Sequence, residues 1–390
     1  MKKLIILILV LAGTLQACTE KDNTPISSAT GKPGQVTEVS VQNLPGGAVI
    51  TYRIPNQAEV LSVKAVYTIS TGKKFEADAS FYNNKLSITG FNDEKEHEVL
   101  IYTVNRAQEL SEPVKCIIKP MVSPLKLAAA TVQIQSDFGG ARFTWMNELK
   151  SPLAFEMYTP DSLGRMTLVR VINSQVTEGS QALRGYPPVL REFGLVVKDN
   201  FGNRSDTIFP AGRKILPLFE ERLPKSAMAI MKLANDQNFT NWEGSDQKII
   251  DDDLTSFGHS PSSSLPAPFT LDLGVTAKVS RIVLFQRNFS SSYYNWGNPK
   301  EIDVYVKTTT PSQSGDWSEW KKIMETEIVK PSGSSSNVTD DDLRAAENGH
   351  EFTFDLSQEP VRYIRIVIRS TWGSTTFTHP AEIDVYGERK

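Results

Sequence analysis

The sequence predicts an all-β chain of three sandwich domains, and three observations carry that prediction. A strand–turn–strand segment recurs at a spacing of about ninety residues, the C-terminal part alternates apolar and polar residues with period two, and Gly, Pro, Ser and Thr are frequent between the alternating runs. Period-two alternation turns one face of each strand to a core and the other to water. Abundant turn residues favour many short strands over helices. A length of 390 residues suits two to four domains.

The chain opens with Met1-Lys2-Lys3 and an unbroken apolar run from Leu4 to Ala12. That run is too short for a stable membrane-spanning helix, which needs about 20 apolar residues, and with its positive start it reads as a signal peptide over residues 1–17. Leu15-Gln16-Ala17-Cys18 resembles the bacterial lipobox, although Gln16 stands where a small or β-branched residue is usual. The resemblance implies acylation of Cys18 and an outer-membrane lipoprotein. Plain secretion with cleavage near Ala17 is the alternative. Several acyl chains on one residue give stable anchoring. Residues 18–34 read as a flexible tether. Its Thr19-Glu20-Lys21-Asp22 is similar to the export signal of Bacteroides-type lipoproteins, which implies exposure at the cell surface.

With Cys18 acylated, the second cysteine, Cys116, has no partner in the chain for a disulfide or a thiolate zinc site. It lies in Val114-Lys115-Cys116-Ile117-Ile118, which reads as a strand, and is expected to be a small core residue. The formal net charge is −3, and loss of Lys2 and Lys3 takes the mature side chains to −3 − 2 = −5. No basic block stands out, which excludes a nucleic-acid partner.

The repeat defines the first two domains. Val39 to Tyr52 aligns with Val132 to Trp145, an offset of 132 − 39 = 93. Val104-Asn105-Arg106 before Ser111 parallels Lys198-Asp199-Asn200 before Ser205, at 198 − 104 = 94. Each unit begins with a strand, a Gly-Gly turn that supplies positive φ, and a returning strand. Tyr52 and Trp145 occupy the same place and are expected to fill the two cores. Units of this length suit fibronectin type III-like or immunoglobulin-like sandwiches, over residues 35–120 and 121–222. Gly46 to Tyr52, Phe138-Gly139-Gly140 and Phe193 to Asp199 resemble the paired N-terminal domains of uncharacterised Bacteroides-type surface lipoproteins. Neither unit carries visible chemistry. His97, among Glu94, Lys95, Glu96 and Glu98, reads as part of a solvated turn, and the units read as rigid spacers.

The third domain, residues 223–390, alternates at Phe269–Gly274, Val279–Phe285, Ile302/Val304/Val306, Phe352/Phe354/Leu356, Ile364/Ile366/Ile368 and Ile383/Val385. One short helix is expected at Asp341–Asn348, with Asp340 as its N-cap and Gly349 past its end. Ile249 to Phe257, Leu271-Asp272-Leu273-Gly274 with Ile282-Val283-Leu284, Asn298 to Tyr305, Trp317-Ser318-Glu319-Trp320, Arg362 to Ile366 and Glu382 to Gly387 resemble, in order, the discoidin (coagulation factor V/VIII C-type) family. The resemblance covers about 165 residues. It implies a jelly-roll β-sandwich and, since many bacterial members are carbohydrate-binding modules, a sugar ligand. Phe257 stands where the family usually has Trp, and Asp252 where it usually has Gly.

Two constellations follow. Asp251, Asp253 and Thr255 alternate in one loop, and Glu382 lies on the last strand; these positions match the family's structural calcium site. Calcium takes six to eight hard oxygens, and the competing reading is a solvated acidic loop with side chains capping local amides. The second set is aromatic and planar polar residues in rim loops: Phe239 and Trp242 in the first, Arg287, Phe289, Tyr293, Tyr294 and Trp296 in the second, Trp372, Phe377 and His379 in the third. Sugar rings pack C–H faces on aromatic planes, and large aromatics in Gly/Ser/Asn-rich loops are costly to expose without a partner. The alternative is that half of them pack beneath the loops.

The sequence thus points to a non-catalytic, surface-displayed glycan-binding lipoprotein. Resemblance implies a polysaccharide-utilisation system with a TonB-dependent transporter and a glycan-capture lipoprotein as partners. A protein-binding adhesin or envelope assembly subunit is the alternative. A glycan-degrading enzyme or its accessory subunit is a second, disfavoured because no segment is left for a catalytic domain and no HExxH or Gly-x-Ser-x-Gly motif occurs.

Overall fold

A computed structural model of the chain describes residues 31–288, 293–334 and 337–390. The expected signal peptide, Cys18, most of the tether and Phe289 lie outside the described residues. The chain is all-β. The strands are β1 (Thr37–Leu44), β2 (Gly47–Arg53), β3 (Val60–Thr68), β4 (Lys74–Ser80), β5 (Lys85–Thr89), β6 (His97–Asn105), β7 (Val114–Ile118), β8 (Gln133–Asp137), β9 (Gly140–Met146), β10 (Leu153–Pro160), β11 (Met166–Ser174), β12 (Glu178–Leu183), β13 (Arg191–Glu192), β14 (Gly194–Asp199), β15 (Lys214–Ile215), β16 (Glu221–Arg222), β17 (Ala229–Met231), β18 (Ala267–Gln286), β19 (Pro299–Lys307), β20 (Lys321–Glu327), β21 (His350–Thr353), β22 (Val361–Thr371) and β23 (Pro380–Arg389). Among the described residues two α-helices join them, α1 (Pro124–Thr131) and α2 (Asp340–Glu347). The chain divides into two compact units: one holds residues up to 133 with 143–180 and 193–211, the other 134–142, 181–192 and 212–390.

In the first unit, sheet β1-β2-β5 and sheet β4-β3-β6-β7 enclose a core that includes Ile50, Val63, Ala65, Ile88, Val99 and Ile101. Tyr52 is buried there, and desolvation pushes its phenol up to about 12. The Gly-Gly turn has two different requirements. Gly46 takes φ +68, the left-handed region that favours glycine. Gly47 does not, but a Cβ there would stand 1.9 Å from the carbonyl oxygen of Ile88. Cys116 lies half-buried on β7, its thiol pushed up to about 11 by desolvation. His97 corrects its expectation: it starts β6, packs on Phe91 with ring centroids 4.4 Å apart and meets Asp93 at 2.6 Å. Sheet β11-β10-β14 also belongs to this unit, and Trp145 stacks on Phe155 at 4.2 Å under Gly179, where any Cβ would collide with the indole. The helix α1 was not expected. Ser123 caps it by accepting from the Lys126 N–H, and Pro124 sits in its first turn.

In the second unit, the repeated turn recurs: Gly139 takes φ +63, and a Cβ on Gly140 would stand 1.9 Å from the Leu183 carbonyl oxygen. The C-terminal sheet runs β16-β23-β18-β22-β19-β20, with β17 and β21 also on β18. The two strands expected at 269–285 are the single 20-residue β18. Its first half pairs with β22 (Phe269↔Ile366) and its second with β23 (Ile282↔Val385), the register breaking between Asp272 and Ala277 around Gly274 at φ +70. One strand therefore serves both layers. Between them lie Phe269, Leu271, Ile282, Val304, Ile364 and Ile383, each fully buried. The α2 helix starts one residue earlier than expected, with Thr339 as N-cap in a reciprocal capping box with Asp342. Desolvation works against ionising Asp342, but the amides of Thr339 and Ser332 donate to it and hold it well below the usual carboxylate range.

Candidate functional site

Three loops converge at one end of the C-terminal domain, and backbone hydrogen bonds stitch them together. The amide of Asn241 donates to the His259 carbonyl at 2.9 Å, Ser260 to Thr378 at 2.9 Å, and His379 to Gly297 at 2.9 Å. Asn298 clamps Arg287 from both sides, accepting its amide at 2.8 Å and donating to its carbonyl at 3.0 Å. Gly297 is required here: a Cβ would lie 2.7 Å from the His379 ring and 2.9 Å from Phe377.

The loops enclose a recess of 350 Å³ lined by Trp242, Glu243, Phe257, His259, Ser262, Arg287, Trp296, Phe377 and His379. Its floor is aromatic. His259 stacks on Phe377 at 4.8 Å and 20°, and lies 5.8 Å from the His379 ring. The Arg287 guanidinium lies 3.3 Å from the centroid of Phe257, and desolvation lowers its pKa. At the rim, Trp242 is 87 % exposed and Trp296 49 %. Both take left-handed backbone conformations, φ +53 and +50. Bulky residues seldom occupy that region, and strain of this kind clusters at functional sites.

Both histidines carry the ring proton on Nδ1, but they turn different nitrogens to their backbone partners. His379 Nε2 accepts the Gly297 amide at 3.0 Å, which puts the proton on Nδ1. That Nδ1–H is buried with no partner of good geometry, only its own carbonyl nearby. His259 Nδ1 is 2.8 Å from the Ser260 carbonyl, so it carries the proton, and Nε2 is left as the acceptor. Desolvation first, then Arg287 and His259, push His379 down to about 4; desolvation and Arg287 also lower His259. The recess thus holds the His259 Nε2 acceptor beside aromatic faces, while the His379 Nδ1–H lies buried behind them. A hydroxyl group can donate to such an acceptor.

The residues expected to bind sugar divide. Trp242, Arg287, Trp296, Phe377 and His379 come together in the recess. Tyr293, Tyr294 and Trp372 do not line it. Tyr294 is buried, donates its hydroxyl to the Asp342 carbonyl at 3.1 Å and meets Trp372 edge-on at 5.2 Å; Tyr293 and Trp372 pack on the same core. Phe239 is fully buried against Phe269. Sequence reasoning missed Glu243, Phe257, His259 and Ser262 as lining residues. The signal was Phe257-Gly258-His259: the glycine has no room for a Cβ, which would meet Ile249 at 2.6 Å, and it carries two aromatic neighbours into the site.

The residues expected to hold calcium do not fit that ion. Asp251 accepts the Ser256 hydroxyl and the Asp253 amide, and Asp253 accepts the amide and hydroxyl of Thr255. Glu382 accepts the Asp252 amide at 2.7 Å, with Asp252 at φ +67. Its other oxygen meets the Lys225 ammonium at 2.6 Å. Among the described residues no group of three or more His, Cys, Asp or Glu side chains is arranged to hold a metal.

Three family models match the chain, each described as a domain of unknown function: DUF4959 over residues 33–120, DUF5126 over 119–226 and DUF5000 over 245–387. Among solved structures, a SusE-like protein is 28% identical at a TM-score of 0.44, over 68% of this chain and 98% of its own. The C-terminal domain of a chitobiase from Bacteroides fragilis is 20% identical at 0.31, over 44% and 99%. A CBM32 module of a family 31 glycoside hydrolase from Clostridium perfringens is 21% identical at 0.27, over 41% and 93%. A search of curated proteins finds no match.

Proposed function

We propose that this protein is a non-catalytic carbohydrate binder whose C-terminal domain takes a sugar ring in the recess between Trp242, Phe377 and the two histidines. The observation that carries the reading is the combination of strained, exposed indoles with a stacked aromatic floor and the His259 Nε2 acceptor. The rings offer planes for C–H faces, and His259 Nε2 offers a hydroxyl an acceptor. Glycoside hydrolysis needs two carboxylates across the scissile bond, whereas Glu243 is the one carboxylate among the described lining residues. The remaining reading comes from sequence resemblance: Cys18 carries lipid at the outer membrane, and the domain captures glycan at the cell surface beside a TonB-dependent transporter and a glycan-capture lipoprotein. A single site of this kind binds weakly, with a Kd of about 0.1–1 mM, and many anchored copies add avidity. The test is a glycan array on residues 19–390. Specific binding that disappears in Trp242→Ala and His379→Ala supports the proposal, and a blank array from folded protein refutes it.

Protein docking is a second reading, favoured by β11. This edge strand of its sheet exposes Leu168, Val169 and Val171 side by side, and exposed apolar edges invite strand addition. Capture that persists in excess monosaccharide distinguishes it from sugar binding.

A further inference from the structure

We infer that the loop at Asp251–Ser256 is closed by an internal cation, the Lys225 ammonium, in the role that the sequence resemblance assigns to calcium. Lys225 follows Pro224 in a short helical turn, and its side chain is 5 % exposed. Its Nζ lies 2.6 Å from Glu382, 2.8 Å from Asp384 and 3.2 Å from Asp252. Glu382 and Asp384 are two apart on β23 and so present the same face, while Asp252 belongs to the loop itself. One ammonium thus ties the loop to the last strand, which is the mechanical task of a structural ion. Arg222, on β16, pairs with both Asp252 and Asp384. Two cations therefore answer Asp252, Glu382 and Asp384, while Asp251 and Asp253 are held by neutral donors of the loop.

Sterics and charge agree. A calcium ion coordinated by Glu382 would share that carboxylate with the ammonium already at 2.6 Å, and like charges at such separation repel strongly in a region sheltered from water. The remaining acids of the loop are turned inward to its own amides and hydroxyls. The ligand demand of calcium, six to eight oxygens, competes with each of these bonds.

The test uses the full chain and calcium chloride as the probe. The expected result is a melting temperature unchanged within about 1 °C between EDTA and millimolar calcium, with no calcium retained after dialysis. Lys225→Met removes the charge at similar volume and leaves Glu382 uncompensated, so the melting temperature falls by roughly 5–15 °C. The same variant gains calcium dependence, because its three carboxylates now face a single arginine. A wild-type chain that retains one calcium, loses it in Glu382→Gln and melts lower in EDTA overturns the inference, whether or not Lys225→Met folds.

Discussion

Removal of the Trp242 side chain separates binding from folding more cleanly than any other change in the recess. The indole is 87 % exposed, so Trp242→Ala takes away almost no buried contact, and exposed substitutions of this kind alter stability by about 0.5 kcal/mol or less. A sugar ring laid on one face of the indole covers roughly 100 Å², about half of what a Trp side chain presents. At about 25 cal/mol per Å² that contact is worth about 2.5 kcal/mol, or roughly 70-fold in Kd. A site with a starting Kd of about 0.1–1 mM then falls below detection. The assay is isothermal titration, or retardation in a glycan-containing gel, with any ligand that binds the wild type, run beside a melting curve. The expected outcome is lost binding at an unchanged melting temperature. A Trp242→Ala protein that binds the same glycan with unchanged affinity refutes the assignment of the recess.

Gly297→Ala is expected to weaken binding at least tenfold through the same recess, because its Cβ meets His379 at 2.7 Å and Phe377 at 2.9 Å; titration of the variant checks this. Acid should destabilise the C-terminal domain through His379 and His350, both of which desolvation holds at about 4 against 6.5. Depressed in the fold, each favours folding fully above pH 6.5 and loses about 3 kcal/mol as pH falls to 4, measurable as a shift in urea midpoint. Arg365→Met strands Asp236, since both side chains are fully buried and paired at 2.7 Å, and should cost about 3–5 kcal/mol in the same denaturation experiment.

The architecture was legible where one residue's chemistry leaves a single place for it. Tyr52 and Trp145 each follow a Gly-Gly turn by a fixed count, and both are core residues. The two glycines were read as one device, yet only the first needs positive φ; the second is required by a neighbouring strand, at 88 − 47 = 41 and 183 − 140 = 43 residues on, a contact that local sequence does not show. The helix α1 escaped notice because Pro124-Leu125-Lys126-Leu127 reads equally well as a linker, although Ser123-Pro124 is a start signal. Within the site, Tyr294 and Trp296 are two residues apart in one Gly/Asn-rich loop with nearly equal φ, and one faces the core while the other faces the rim. Composition could nominate both but not divide them. The role of Lys225 was invisible for a different reason: its partners lie 27 and 157 residues away, and a lone lysine after a proline carries no local signal of burial.

The passage of β18 through both layers bears on how the domain fails. The layers share one core, and withdrawing β18 also unpairs β22 on one side and β23 on the other. Its last residue, Gln286, directly precedes Arg287 in the recess. Partial opening is therefore disfavoured, and unfolding of this domain is expected to be all-or-none. A half-melted form that still holds ligand has no structural basis, so retained ligand binding doubles as a report that the whole domain is intact.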